Sequence, residues 1–229
     1  MPHSEMGGPK RDEAARARDA LFAGIAHDLR NPLNTFAMST GLLKDDLEGG
    51  DLDVTRALSL LKRMERAAQR MQLLIDDLVV ASRLDDDESV IGFVKKPIDA
   101  AELVRESVAA AAPVVKDRGA DIVAGDVDEG LTVSVDRERM VQAIAKAAAF
   151  VLRTTGENGR ITVSAMKQGS GAEIIVRGVN PGGTPSSAPG REEGRGGLAL
   201  LIAKGQVTAH GGTVDVTYFD GTKLTIVLP

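Results

Sequence analysis

The sequence predicts an α+β protein in two parts: an N-terminal helical hairpin that pairs with a second copy into a four-helix bundle, followed by an α/β sandwich. Three observations carry this. Apolar residues recur three and four apart from Ala14 to Ser82, interrupted once by Glu48-Gly49-Gly50-Asp51. After Asp85-Asp86-Asp87-Glu88 the pattern changes to short β-branched runs alternating with helical ones, and most of the 25 glycines lie there. A length of 229 residues with 43% hydrophobic content is enough for two modest cores. The expected organisation is a flexible arm over 1–13, the hairpin over 14–89 and the sandwich over 90–229.

From Ala14 to Leu47 the stripe Phe22, Ile25, Leu29, Phe36, Leu43 and Leu47 describes one long amphipathic helix. Gly49 and Gly50 end it, and Asp51 or Asp53 can cap the next helix. There Val54, Ala57, Leu61, Met64, Ala68, Met71, Ile75, Leu78 and Ser82 form an unbroken heptad seam. Leu58, Leu60 and Leu74 widen the apolar surface beyond what two helices can cover, which is the reason to expect a dimeric bundle. In the second half, Ile91–Val94 reads as a short strand, Ala100–Val115 as a helix, Leu131–Val135 as a strand and Arg137–Leu152 as an Ala-rich helix. Strands are expected at Arg160–Met166, Glu173–Val179, Gly212–Tyr218 and Lys223–Leu228, with a Gly/Pro/Ser-rich loop over Asn180–Gly197 before a helix at Leu198–Thr208.

Composition excludes several classes. Cysteine is absent, so disulfides and thiolate metal sites are ruled out and a reducing cytoplasm fits. No apolar run approaches the roughly 20 residues of a membrane span, and the first residues lack the apolar core of a signal peptide. The net charge of −5 with mixed signs, and aromatics at 3% with no Trp, argue against nucleic acid as a partner. A protein partner is expected.

The segment Phe22-Ala-Gly-Ile-Ala-His27-Asp28-Leu29-Arg30-Asn31-Pro32-Leu33 carries the chemistry. His27 lies two residues after Ile25, a rotation of about 200° that turns it away from the buried stripe. An imidazole, with an ordinary pKa of about 6.5, offers a neutral ring nitrogen as nucleophile near pH 7. The adjacent Asp28 can fix the proton on the other nitrogen. Pro32 removes one helical hydrogen bond and is expected to kink the helix. His3 and His210 support no such reading: one falls in the arm, the other where a helix ends.

This segment resembles the H box of two-component histidine kinases, and the order of hairpin and sandwich resembles those kinases along nearly the full chain. The resemblance implies that His27 is the phosphoacceptor, with Asp28 and Asn31 also serving dephosphorylation of a response-regulator partner. The second half resembles the kinases' ATP-binding domain, related to chaperone and gyrase ATPases, down to the closing Gly221-Thr222-Lys223-Leu224-Thr225-Ile226-Val227-Leu228-Pro229. Set against the family's motifs, however, Phe150 stands at the Mg²⁺-binding Asn, Lys146 at the Asn one turn earlier, and Arg153 at a usual basic position. Gly178 replaces the adenine-reading Asp, leaving Pro181 and Gly182 of that motif, and Gly197 alone keeps its place in the last glycine signature. Lys146, Arg153, Gly182 and Gly197 are thus the remnants of a nucleotide site.

Phosphoryl transfer from ATP depends on metal ligation, base recognition and phosphate cradling together. The expected function is therefore a phosphorelay protein with no metal and no cofactor: a homodimeric histidine phosphotransferase or phosphatase exchanging phosphate with response-regulator receivers. The alternatives are an active cytoplasmic kinase using ATP and Mg²⁺, and a non-enzymatic pseudokinase that pairs with a true kinase or sequesters a receiver.

Overall fold

A computed structural model describes residues 8–50, 53–82, 94–155, 158–180, 197–218 and 221–229. Two compact units emerge, Met1–Val80 and Ala81–Pro229. The first holds helix α1 (Gly8–Gly49) and all but the end of α2 (Val54–Ser82). Helix α1 starts inside the expected arm, with Pro9 in its first turn and the helix formers Lys10, Arg11 and Glu13 following. Asp46 and Arg56 pair at 2.8 Å near the turn, and Thr40 Oγ1 donates to Met64 Sδ at 3.8 Å further from it, the order of an antiparallel hairpin. The Asp53 carboxylate accepts the Thr55 N–H at 2.9 Å at the start of α2.

The seam closed by this hairpin differs from the expected one. Leu60 and Ala67 are buried, with Ala57, Met64, Met71, Leu74, Leu78 and Ala81 half-buried, whereas Val54, Leu61, Ala68, Ile75 and Ser82 are exposed. Both sets repeat every 3.5 residues and share Ala57, Met64, Met71 and Leu78. Periodicity therefore could not say which of two adjacent stripes faces α1. On α1, Ile25 and Ser39 are buried and Leu47 is exposed.

The second unit runs β1 (Lys96–Asp99), α3 (Ala100–Asp117), β2 (Asp121–Val127), β3 (Thr132–Val135), α4 (Arg137–Thr155), β4 (Arg160–Gln168), β5 (Gly171–Val179), α5 (Gly197–Ala209), β6 (Thr213–Thr217) and β7 (Thr222–Leu228). Strands β1 and β3 pair antiparallel, and the others form one sheet in the order β2-β4-β5-β7-β6. Within it β2 and β4 are parallel and the remaining pairs antiparallel. The inward positions Ile161, Val163 and Ala165 of β4, Ile174 and Val176 of β5, and Leu224 and Ile226 of β7 alternate with half-exposed residues, and α3, α4 and α5 supply the other half of the core.

Two strands escape the sequence reading. β1, Lys-Pro-Ile-Asp, contains a proline and buries one side chain, and β2, Asp-Ile-Val-Ala-Gly-Asp-Val, mixes Asp and Gly and buries only Ile122. The strand expected at Ile91–Val94 lies outside the described residues except for Val94, which precedes β1. Most of the loop expected over Asn180–Gly197 also lies outside them.

Ile144 is fully buried on α4. Ile144→Ala in the full chain is expected to lower unfolding free energy by about 2–5 kcal/mol. Lys204→Ala, on the exposed side of α5, should change it by less than about 0.5 kcal/mol. Urea denaturation followed by circular dichroism measures both.

Candidate functional site

His27 sits mid-way along α1, its side chain 62% exposed, while Ile25 two residues earlier is buried. Helical phase alone produces this separation. Two polar side chains approach the same ring atom: Asp28 Oδ1 and Asn31 Nδ2 are each 3.5 Å from His27 Nδ1. They ask for opposite tautomers, since a carboxylate wants a proton on Nδ1 and an amide N–H wants a lone pair there. With the proton on Nδ1, Asp28 is its acceptor and Nε2 keeps its lone pair; with the proton on Nε2, Nδ1 accepts from Asn31. The structure thus brings the half-buried Asp28 and the exposed Asn31 to the exposed His27 ring. Pro32, one residue on, is buried and has no N–H to give to the Asp28 carbonyl, yet α1 continues through it as far as Gly49.

The positions matched to a nucleotide site fall on α4, β5 and α5. On α4, Phe150 is only 5% exposed and belongs to the same core as Met140, Ala143, Ile144, Ala147 and Val151. Lys146, one turn before Phe150, is half-buried and Arg153, three residues after it, is exposed. Gly178 lies in β5, where an added Cβ would come within 2.0 Å of Thr155 Oγ1 and 2.5 Å of Val151 Cγ1. Thr155 is itself buried and donates its hydroxyl to the Val151 carbonyl at 2.8 Å. Gly221, at φ +97°, closes over the same place, since a Cβ there would meet the Gly178 carbonyl oxygen at 2.4 Å. Gly178 is thus hemmed in by Val151 and Thr155 at the end of α4, with Gly221 against its carbonyl. The residues at 150 and 178 offer neither a Mg²⁺ ligand nor an acceptor for an amino group, and so do not fit ATP and Mg²⁺ in the manner the resemblance implies. Gly197 opens α5 with φ +55° and is buried; Gly182 lies outside the described residues.

One polar cluster was not anticipated. His210, 2% exposed at the C-terminal end of α5, accepts the Asp136 N–H at 3.0 Å through Nε2 and shares a 2.7 Å hydrogen bond between Nδ1 and the Gln206 carbonyl. Burial holds its pKa below the ordinary imidazole value, with the Gln206 carbonyl acting in the opposite sense and Lys95 reinforcing the depression. The only sequence signal was Asp136 placed to cap α4, since the His210 pairing joins residues 74 apart in the chain.

Comparison with known proteins places these features. Residues 17–87 match the His Kinase A (phospho-acceptor) domain. Sensor histidine kinase WalK of Bacillus subtilis is 24% identical over 246 positions, covering 96% of this chain and 38% of the relative. The bacteriophytochrome of Pseudomonas aeruginosa is 26% identical over 219 positions, covering 89% and 28%. The chain therefore spans well under half the length of these two relatives. Among solved structures, histidine kinase AdeS of Acinetobacter baumannii shares the fold with a TM-score of 0.61 at 18% identity, covering 88% of this chain and 96% of that one. Histidine kinase ThkA, solved in complex with response regulator protein TrrA, gives 0.62 at 19% identity, covering all of this chain and 68% of that one. No helix among the described residues is long and apolar enough to cross a membrane.

The contact at Gly178 is open to a double-mutant test. Gly178→Ala is expected to destabilise the protein by about 1–3 kcal/mol through overpacking. Adding Thr155→Ala should recover a measurable part of that loss, giving a non-zero coupling energy in urea denaturation.

Proposed function

The chain belongs to the two-component sensor histidine kinase family, and from that premise we propose that it is a phosphorelay protein that exchanges phosphate between His27 and receiver aspartates without using ATP. The single observation that carries the second half of this reading is the filled space at Gly178, which no acidic side chain can enter while Thr155 and Val151 stand where they do. Phe150 in the core and the absence of a carboxylate at 178 remove the metal ligand and the base reader together, and transfer from ATP relies on both kinds of contact.

The chemistry left on α1 suits a relay. The His27 Nε2 lone pair attacks the phosphorus of an aspartyl phosphate, the bond from phosphorus to the aspartyl oxygen breaks, and the carboxylate leaves as an anion. The ring, still protonated at Nδ1, becomes cationic, and Asp28 at 3.5 Å stabilises that charge. The same step run backwards delivers phosphate to a second receiver. Asn31, exposed beside the ring, is placed to orient a water for hydrolysis of the aspartyl phosphate, with Asp28 accepting its proton.

Receiver domains of response regulators are the proposed partners, and a second copy of this chain is the proposed cover for the apolar stripe of α2. Leu58, Leu61, Ile75 and Val79 are exposed by 42–52%, on a helix whose other apolar side already meets α1.

Phosphorylated receiver offered to the purified protein is expected to transfer acid-labile label, and His27→Gln to abolish it. Asp28→Asn should slow transfer by about ten- to a hundredfold, the rate equivalent of a charged hydrogen bond worth about 1.5–3 kcal/mol. Calorimetric titration with a non-hydrolysable ATP analogue and Mg²⁺ is expected to be silent. Binding together with His27-dependent labelling from ATP would establish an autokinase instead. Silence in every arm would leave a scaffold.

A further inference from the structure

The chain enters the folded body of the second unit at Val94 and Lys95, and both are held by residues remote in sequence. The Val94 N–H donates to Asp136 Oδ2 at 3.1 Å, and the Lys95 ammonium donates to the His210 carbonyl at 3.1 Å. Asp136 has a second task, accepting the Arg139 N–H through Oδ1 at 3.3 Å as the cap of α4. Its own N–H donates to His210 Nε2 at 3.0 Å. His210 therefore ties three elements at one point: the lead-in to β1, the start of α4 and the end of α5.

This arrangement accepts only one protonation state of the ring. Nε2 must keep its lone pair for the Asp136 N–H, so the ring proton sits on Nδ1 and is given to the Gln206 carbonyl. A second proton on Nε2 would point at the Asp136 N–H, turning a hydrogen bond into a donor–donor clash inside a buried site. The charged groups facing the ring are the Lys95 ammonium from the lead-in and, from α4 and its cap, the Arg139 guanidinium and the Asp136 carboxylate. Two of the three are cations.

We propose that His210 is the pin of an acid-sensitive latch: neutral, it fixes the lead-in segment Val94–Lys95 to the start of α4, and protonation releases that segment. The buried ring resists protonation in the closed state, whereas in the opened state it takes up a proton at about the ordinary value of 6.5. The opened form therefore binds more protons, so closure is favoured above about pH 6.5 and lost as pH falls below it. The open population grows by up to about tenfold for each pH unit below that point until the closed form also protonates.

Two measurements on the full chain test the latch. Amide hydrogen exchange, expressed as protection factors, should show Val94, Asp136 and Arg139 losing protection by tenfold or more between pH 7.5 and 5.0. His210→Gln, whose Oε1 can accept the Asp136 N–H but does not titrate, should remove that pH dependence. An equal loss in His210→Gln would assign the effect to Asp136 or another carboxylate and overturn the proposal. Ring ¹⁵N shifts of the unmodified protein provide the second readout, independent of any variant. They are expected to show the Nδ1–H tautomer at pH 7.5 and a midpoint below 6.5 that tracks the loss of protection. The opposite tautomer, a midpoint at or above 6.5, or titration with protection unchanged would each sink the idea.

Discussion

Helix α4 has to cover the sheet, and that demand governs the second unit. It packs against α3 on one side and α5 on the other and reaches strands β4, β5 and β7. Met140, Ala143, Ile144, Ala147, Ala148, Val151 and Leu152 meet it with aliphatic side chains, and Phe150 joins them. A helix turns about 100° per residue, so positions 143, 147, 150 and 151 share one broad side, and what occupies that side is either core or ligand-binding. Here it is core. The small alanines let the helix approach the sheet closely, which brings Thr155 and Val151 onto Gly178.

The first unit places its chemistry under the opposite constraint. His27 is on the outside of α1, where no packing demand acts on it, and its neighbours Asp28 and Asn31 reach it across one turn or less of the same helix. The grouping there rests on local helical geometry, with the buried Ile25 and Ser39 fixing the rotation of α1. The hairpin leaves this position on the helix uncovered.

Polar links in the second unit gather at element ends, where backbone groups lack partners within the helix or sheet. Asp99 caps α3 through the Glu102 N–H, Asp136 caps α4, and Asp128 takes the Lys167 N–H where β2 ends. Arg137, just after the α4 cap, is held by Glu102 and Glu106 of α3. Most of these are exposed or half-exposed. His210 stands apart because its ring is buried and shared between the start of α4 and the end of α5.

The sequence by itself determined the two-part architecture, the limits of most helices and the outward placement of His27, because these follow from periodicity and from spacings within one helical turn. It did not reveal β1 or β2, whose Pro, Gly and Asp content hides strands stabilised by their partners, nor which of two overlapping heptad stripes faces α1. Only the tertiary structure decided that Gly178 faces Thr155 and Val151 and that His210 supports Asp136. Both depend on atoms brought together from residues 23 and 74 positions apart, and no local pattern encodes such a contact.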